Sequence, residues 1–347
     1  MFVVFKLLRS GNKIDSMKNI DKIILNVLNS IAILTPIILG ACLNNLRFAV
    51  MGALGALIYN YYIPQNNHKG LVQILIVSSG TLISFSLVLF INQIPWITPI
   101  IIGILAALAL FYTKRLHFIG PGPFFFIMIV SLAGTQKYID LKTSITQIIY
   151  LLIGLLMAIL SSLVGELLFY KLELPKLNFI PKHNNISQIT SRTVLNSFFY
   201  GVSIFLAFYI GENLNLFNYY WVVVACAAVM KADNLPFAIE RHKHYILGAM
   251  GGCAIAWVAI SLPLEIWETV LVIAILNALI YWKINKNYLI GNLFTTPLAI
   301  LLFKLISPNI NDIAVLDRML GIVIGTTIGL VSVYIMHYVL ENIQENN

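Results

Sequence analysis

The residues best suited to chemistry in this sequence crowd between positions 218 and 252. An aromatic pair, Tyr220-Trp221, opens a short apolar stretch that ends at Lys231 and Asp233. A dense ionisable segment follows, Glu240, Arg241, His242, Lys243 and His244, before Gly248, Gly251 and Gly252 begin a second apolar stretch. A guanidinium presents a planar fork that matches a carboxylate, which an ammonium cannot do. An ionisable cluster between apolar spans is a functional-site hypothesis by default. These residue types point to capture of an amphipathic organic anion. Arg241 or Lys231 would meet its carboxylate, with Tyr220, Trp221 and the earlier Tyr59 as aromatic walls and Asp233 close by. A plainer reading stands beside it, in which Lys231 snorkels to headgroups and Arg241 only sets orientation. For the tyrosines, including Tyr59-Asn60-Tyr61-Tyr62, an interfacial aromatic belt is the expectation.

A second group concerns coupling or gating. Glu166 lies one four-residue step beyond a stripe of small residues, Gly154, Ala158 and Ser162, and His337, at the repeat-equivalent position, two steps beyond Gly321, Gly325 and Gly329. Four-residue spacing of small side chains marks a packing seam between helices. Glu166 and His337 could pair at one end of such seams, and His242 and His244 are further candidates for coupling. No HExxH, GxSxG, P-loop or dinucleotide fingerprint appears, so enzymatic chemistry is not indicated and no cofactor or metal is expected. Cys42, Cys226 and Cys253 sit in apolar stretches without a CxxC and are read as packing residues.

The elements that must position these residues are membrane helices. The chain has 347 residues, 59% hydrophobic and 10% charged, with a mean hydropathy of +0.88. Soluble domains carry about 25% charged residues, so a soluble reading fails. Twelve spans can be drawn, six within 23–170 and six within 193–340, with 46–63 and 217–233 short for a crossing. Only Arg47, Lys137, Lys142, Lys304 and Arg318 of the 22 basic residues fall on one side of that arrangement. The positive-inside rule then places both termini in the cytoplasm, with basic tail 1–22, linker 171–192 and tail 341–347. The net charge of +8 is explained by this bias, and no nucleic-acid partner is expected. A repeat is visible as well. His68-Lys69 aligns with His242-Lys243, 116–120 (LHFIG) with 287–291 (NYLIG), and the Ile-Gly at 153–154 with that at 324–325. Two six-helix copies pointing the same way are expected, giving an all-α polytopic fold of two parallel repeats. Gly120-Pro121-Gly122-Pro123 reads as a helix start, and Thr295-Thr296-Pro297 as an interruption of the eleventh span.

The order Tyr220, Trp221, Arg241, Gly248, Gly252, then Tyr288, Pro297 and Asp317-Arg318…Gly321, resembles the second-half signature of the fusaric-acid-resistance family of aromatic acid exporters. The resemblance covers roughly 200–340. It implies a secondary transporter of the cell membrane exporting aromatic or other amphipathic organic acids. A passive organic-anion channel and a non-transporting membrane scaffold are the alternatives. The larger exporters carry a sizeable cytoplasmic domain between their halves, which the 171–192 linker lacks. The partners expected are the lipid bilayer and a small organic anion, with a homo-oligomer left open.

Overall fold

The computed structural model describes residues 13–94, 96–136, 139–172, 174, 186–216, 218–232, 234–283, 287–307 and 312–345. Twelve α-helices occur among them, and no strand. The first half holds α1 (Lys13–Cys42), α2 (Leu46–Ala56), α3 (Lys69–Ile91), α4 (Thr98–Arg115), α5 (Phe124–Thr135) and α6 (Leu141–Lys171). A 3-10 turn over Leu57–Tyr61 continues α2. The second half holds α7 (Ile186–Asn213), α8 (Tyr220–Met230), α9 (Leu235–Ser261), α10 (Ile266–Lys283), α11 (Tyr288–Ile306) and α12 (Asp312–Glu345). Eight of these, all but α2, α5, α8 and α10, are long and apolar enough to cross a membrane. The chain is a multi-pass membrane protein.

Several expected boundaries move outward. Helix α1 begins at Lys13 inside the expected tail, α7 at Ile186 inside the expected linker, and α12 runs to Glu345. The largest change concerns Glu240 to His244, expected in a loop and found in the second and third turns of α9. Asn234 caps that helix by accepting from the Phe237 amide, and Pro236 sits in its first turn. Charge there marks helix projecting past the apolar layer. Pro297 lies inside a continuous α11 and does not interrupt it. At 120–123 the expectation of a helix start holds, since Gly120 and Gly122 take positive φ and α5 begins right after Pro123.

The packing repeats. Contacts α1–α2, α2–α6 and α1–α6 recur as α7–α8, α8–α12 and α7–α12. Likewise α3–α5, α3–α6 and α4–α5 recur as α9–α11, α9–α12 and α10–α11. Contacts between halves are reciprocal too, with α4–α7 matched by α10–α1 and α5–α8 by α11–α2. Gly154 and Gly325, aligned by the sequence repeat, play the same part. A Cβ on Gly154 would strike the backbone of Gly52 in α2, and one on Gly325 that of Val222 in α8. Both small-residue stripes are packing seams, as read.

The two reciprocal contacts between halves differ in chemistry. Where α4 meets α7, Gly103 and Gly201 bring the backbones together over Ala107 and Phe205. Where α10 meets α1 and the turn after α2, the contact is polar. Tyr281 donates to Asn60 Oδ1 at 3.2 Å, and Asn277 Nδ2 donates to Ser30 Oγ at 3.3 Å.

Candidate functional site

The short helices are central. Helix α8 has 11 residues, about 17 Å at the usual rise, against about 30 Å of hydrocarbon. Every residue from Tyr220 to Val229 is buried, so no face of α8 looks at lipid. Helix α2, its repeat mate, is buried almost as fully. A helix that is apolar all round belongs in a core. Here that core surrounds a cavity of about 950 Å³ between the halves. Its walls are α2 and α5 from the first half and α8 and α11 from the second, with single turns of α6, α9, α10 and α12.

The cavity reaches from Arg47, at the start of α2, to Lys231, at the end of α8. We refer to the end where α6 stops and α7 starts as the linker end, and to the other as the far end. Arg47 marks the far end, Lys231 and Arg241 the linker end, and Arg318 lies between them. No Asp or Glu occurs among the described lining residues. The remaining lining is largely apolar and aromatic, including Phe124, Phe125, Tyr220 and Phe303. Tyr220 and Phe303 stack at 6.1 Å with 26° between their planes. A cationic, aromatic, acid-free cavity is chemically fitted to an amphipathic anion.

Arg318 was not singled out for a site on sequence, where it counted only as a far-side basic residue and part of a motif. It is 3% exposed. Its guanidinium carbon sits 5.0 Å from the Trp221 ring centroid, and its charge acts on the Tyr220 and Tyr245 hydroxyls. Its Nε finds no hydrogen-bond partner within the protein. Placing an arginine at mid-membrane costs about 2.5–3.5 kcal/mol by insertion scales. A desolvated cation–π contact returns about 2 kcal/mol, so Trp221 offsets only part of that. The sequence held one signal: Arg318 is in register with Gly321, Gly325 and Gly329, the stripe that faces α8.

The residues singled out on sequence meet different fates. Arg241 and Lys231 line the cavity, as does Tyr220. Arg241 donates from Nη1 to the Ala228 carbonyl at 3.0 Å, and its guanidinium lies 4.6 Å from the Tyr288 centroid. Ala228 belongs to the last turn of α8, where carbonyls lack helical partners and a cation suits the dipole. Trp221 does not line the cavity but backs Arg318 and donates to Tyr220 Oη at 2.6 Å. Tyr59 is buried beside Tyr62 and does not itself line the cavity. Asp233 lies outside the described residues.

The aromatic belt expected of these tyrosines is corrected. Tyr59, Tyr61, Tyr62, Tyr219 and Tyr220 are all buried. They sit at the ends of the short helices inside the bundle, and four hydroxyls bond internally, that of Tyr220 accepting from Trp221. Tyr62 donates to Glu166, Tyr219 to the Gly134 carbonyl, and Tyr61 accepts from the Phe126 amide. The exposed aromatics are others, such as Trp96, Trp257, Trp282 and Tyr170.

The expected couple of Glu166 and His337 is also corrected. The buried Glu166 carboxylate meets Tyr62 Oη at 2.9 Å and His68 Nδ1 at 3.0 Å, both from its own half. Helix α6 packs on α1, α2 and α3, whereas α12 packs on α7, α8 and α9, which keeps the two repeat-equivalent positions in separate halves. His244 faces Glu240 at 3.7 Å along α9, and the buried His242 Nδ1 lacks a protein partner. Neither histidine lines the cavity.

Three of the four basic lining residues fall in the part of the chain that matches a family model. Residues 204–332 match the family described as fusaric acid resistance protein-like. This family segment takes in the last ten residues of α7, α8 to α11, and α12 through Ser332, and so contains Lys231, Arg241 and Arg318. An uncharacterized membrane protein of Bacillus subtilis (strain 168), YvaC, is 27% identical over 93 residues, which is 27% of this chain and 15% of that protein. The match thus spans a small part of that relative's length. No solved structure matches the chain.

Proposed function

We propose that this protein is a secondary transporter that carries amphipathic organic anions, aromatic acids among them, through the cavity between its halves. The observation that carries this reading is a cavity with Arg47, Lys231, Arg241 and Arg318 on its walls and no carboxylate among the described lining residues. About 950 Å³ is at the upper end of small-molecule sites, which run from about 300 to 1,000 Å³. The basic bias of the loops supports a linker end that faces the cytoplasm, where Lys231 and Arg241 would gather a dilute anion. Arg318 would receive it next, and release would follow past Arg47. The family segment is consistent with transport in general, and export of aromatic acids is the finer step taken here.

Inverted vesicles test the reading. Labelled benzoate should accumulate in vesicles containing the protein and not in control vesicles, and a protonophore should abolish the accumulation. A specific observation also favours a passive conduit, namely that lining residues run from Arg47 to Lys231 without a break in helical register along α11. Protonophore-insensitive anion currents in a planar bilayer would decide for that conduit. Neither flux nor current would leave a scaffold and overturn the transport reading.

A further inference from the structure

We infer that Arg318, with the side-chain amides of Asn218 and Asn292, forms a single seat for the carboxylate of an aromatic monocarboxylate, lying off the pseudo-twofold axis in the second half. The inference rests on the transport reading above and deepens it.

Three observations converge on one cavity. Arg318 is buried, touches the cavity and leaves Nε without an acceptor in the protein. Asn218 and Asn292 are also buried and line the same cavity; the Nδ2 of Asn218 lacks an acceptor, and that of Asn292 has only the Tyr288 hydroxyl beside it. They flank Arg318 along the membrane axis. Asn218 lies just before α8 at the far end, and Asn292 in the second turn of α11 towards the linker end. Buried donors without acceptors are rare in folded proteins. Two in one cavity, one of them charged, with the Asn292 amide as a third donor, call for an anionic oxygen ligand. A carboxylate supplies two such oxygens and suits a guanidinium fork.

The aromatic surroundings choose the rest of the ligand. Trp221 covers the Arg318 guanidinium at 5.0 Å and the Tyr245 hydroxyl meets it, which leaves Nε for the ligand. The stacked Tyr220–Phe303 pair and Phe124 give flat apolar surface beside it. A ring attached to the carboxylate would lie on these faces, where aromatic pairs prefer offset or edge contacts.

The repeat explains why there is one seat. The first-half position equivalent to Arg318 is Gln147, on the stripe of Gly154 as Arg318 is on that of Gly325. Gln147 also lines the cavity, and its Oε1 lacks a partner. It is neutral, so Arg318 has no charged counterpart at the equivalent place in the first half.

Purified protein in nanodiscs, titrated with benzoate and with terephthalate, tests the seat apart from the transport reading. Wild-type protein should bind benzoate saturably and more tightly than terephthalate. Arg318→Gln should weaken benzoate binding tenfold or more, and Arg318→Lys should recover only part of it. Gln147→Arg should raise terephthalate affinity above that for benzoate. Should Arg318→Gln fail to insert, Asn218→Leu and Asn292→Leu decide the matter, each expected to weaken benzoate binding severalfold at an unchanged melting temperature. Absence of saturable benzoate binding by the wild type overturns the seat. Benzoate flux with wild-type affinity through a folded Arg318→Gln, or wild-type binding by both Asn variants, overturns it while leaving the transport reading intact. A protein that binds benzoate through Arg318 yet moves none retains the seat and refutes transport.

Discussion

Arg241 illustrates how much of a charged residue's role its neighbours decide. From sequence it was a fork for a substrate carboxylate or an orientation signal. In the structure one of its donors closes the last turn of α8 at the Ala228 carbonyl, and its plane lies over Tyr288. Arg241→Ala leaves that carbonyl without its partner, at a cost of about 1–3 kcal/mol. The detergent-solubilised variant should therefore melt measurably lower, and Arg241→Lys should recover much of the loss. An unchanged melting curve for Arg241→Ala would show that the bond contributes nothing. Glu166 is a similar case in the first half. It holds Tyr62 and His68, which bracket a bend where Asn67 and His68 take consecutive positive φ, 59° and 56°. Non-glycine residues resist that conformation, so the bend needs an anchor. Glu166→Ala should speed amide exchange across 62–70 and leave α9 unaffected, as hydrogen-exchange mass spectrometry would show. Equal protection in both proteins would refute the anchoring role. The partner of Glu166 was not legible in the sequence. His68 lies almost a hundred positions away, and the repeat pointed to His337, because symmetry predicts equivalent places and says nothing about which residues touch.

Helices α2 and α8 were visible in the sequence as spans too short to cross. What could not be read was their depth, because a short apolar run looks the same at the lipid rim and at the centre. Their burial is made possible by small residues opposite them, above all the stripe on α12. A Cβ on Gly325 meets the Val222 carbonyl and the Ala225 Cβ, both in α8. Backbone cannot yield as a flexible side chain can, so Gly325→Val must push α8 away from α12. Overpacking of this kind typically costs about 1–3 kcal/mol. Since α8 carries Tyr220 and Trp221 beneath Arg318, ligand binding should suffer together with stability. Gly80 is the natural control, for a Cβ there meets nothing within 4 Å. Gly80→Ala should express and melt like the wild type, and equal damage from the two substitutions would refute the packing argument. The charged start of α9 was misread because charge marks contact with water, which a projecting helix satisfies as well as a loop.

At the scale of the whole molecule, the doubled architecture was legible from a few aligned pairs, because each reports a helix position and the offset stays nearly constant. The cavity was not, since it is made by spans that meet only when the halves come together. In a cysteine-free background, single cysteines at Lys142 and Asn215 should react with an impermeant thiol reagent on intact cells, and one at Lys69 should not. Reaction at Lys69 would invert the assignment of the ends. The two reciprocal joints between the halves, unlike in chemistry, carry a mechanical consequence. Gly103 against Gly201 makes a dry, close-fitted joint whose contacts are lost by any separation, whereas Tyr281–Asn60 and Asn277–Ser30 can exchange their partners for water. The molecule is thereby bound like a book, with α4 and α7 as its spine and α1 and α10 as its fore-edge. A disulfide between cysteines at Ala107 and Gly201 should leave turnover nearly intact, and one between cysteines at Ser30 and Asn277 should clasp the covers and stop it.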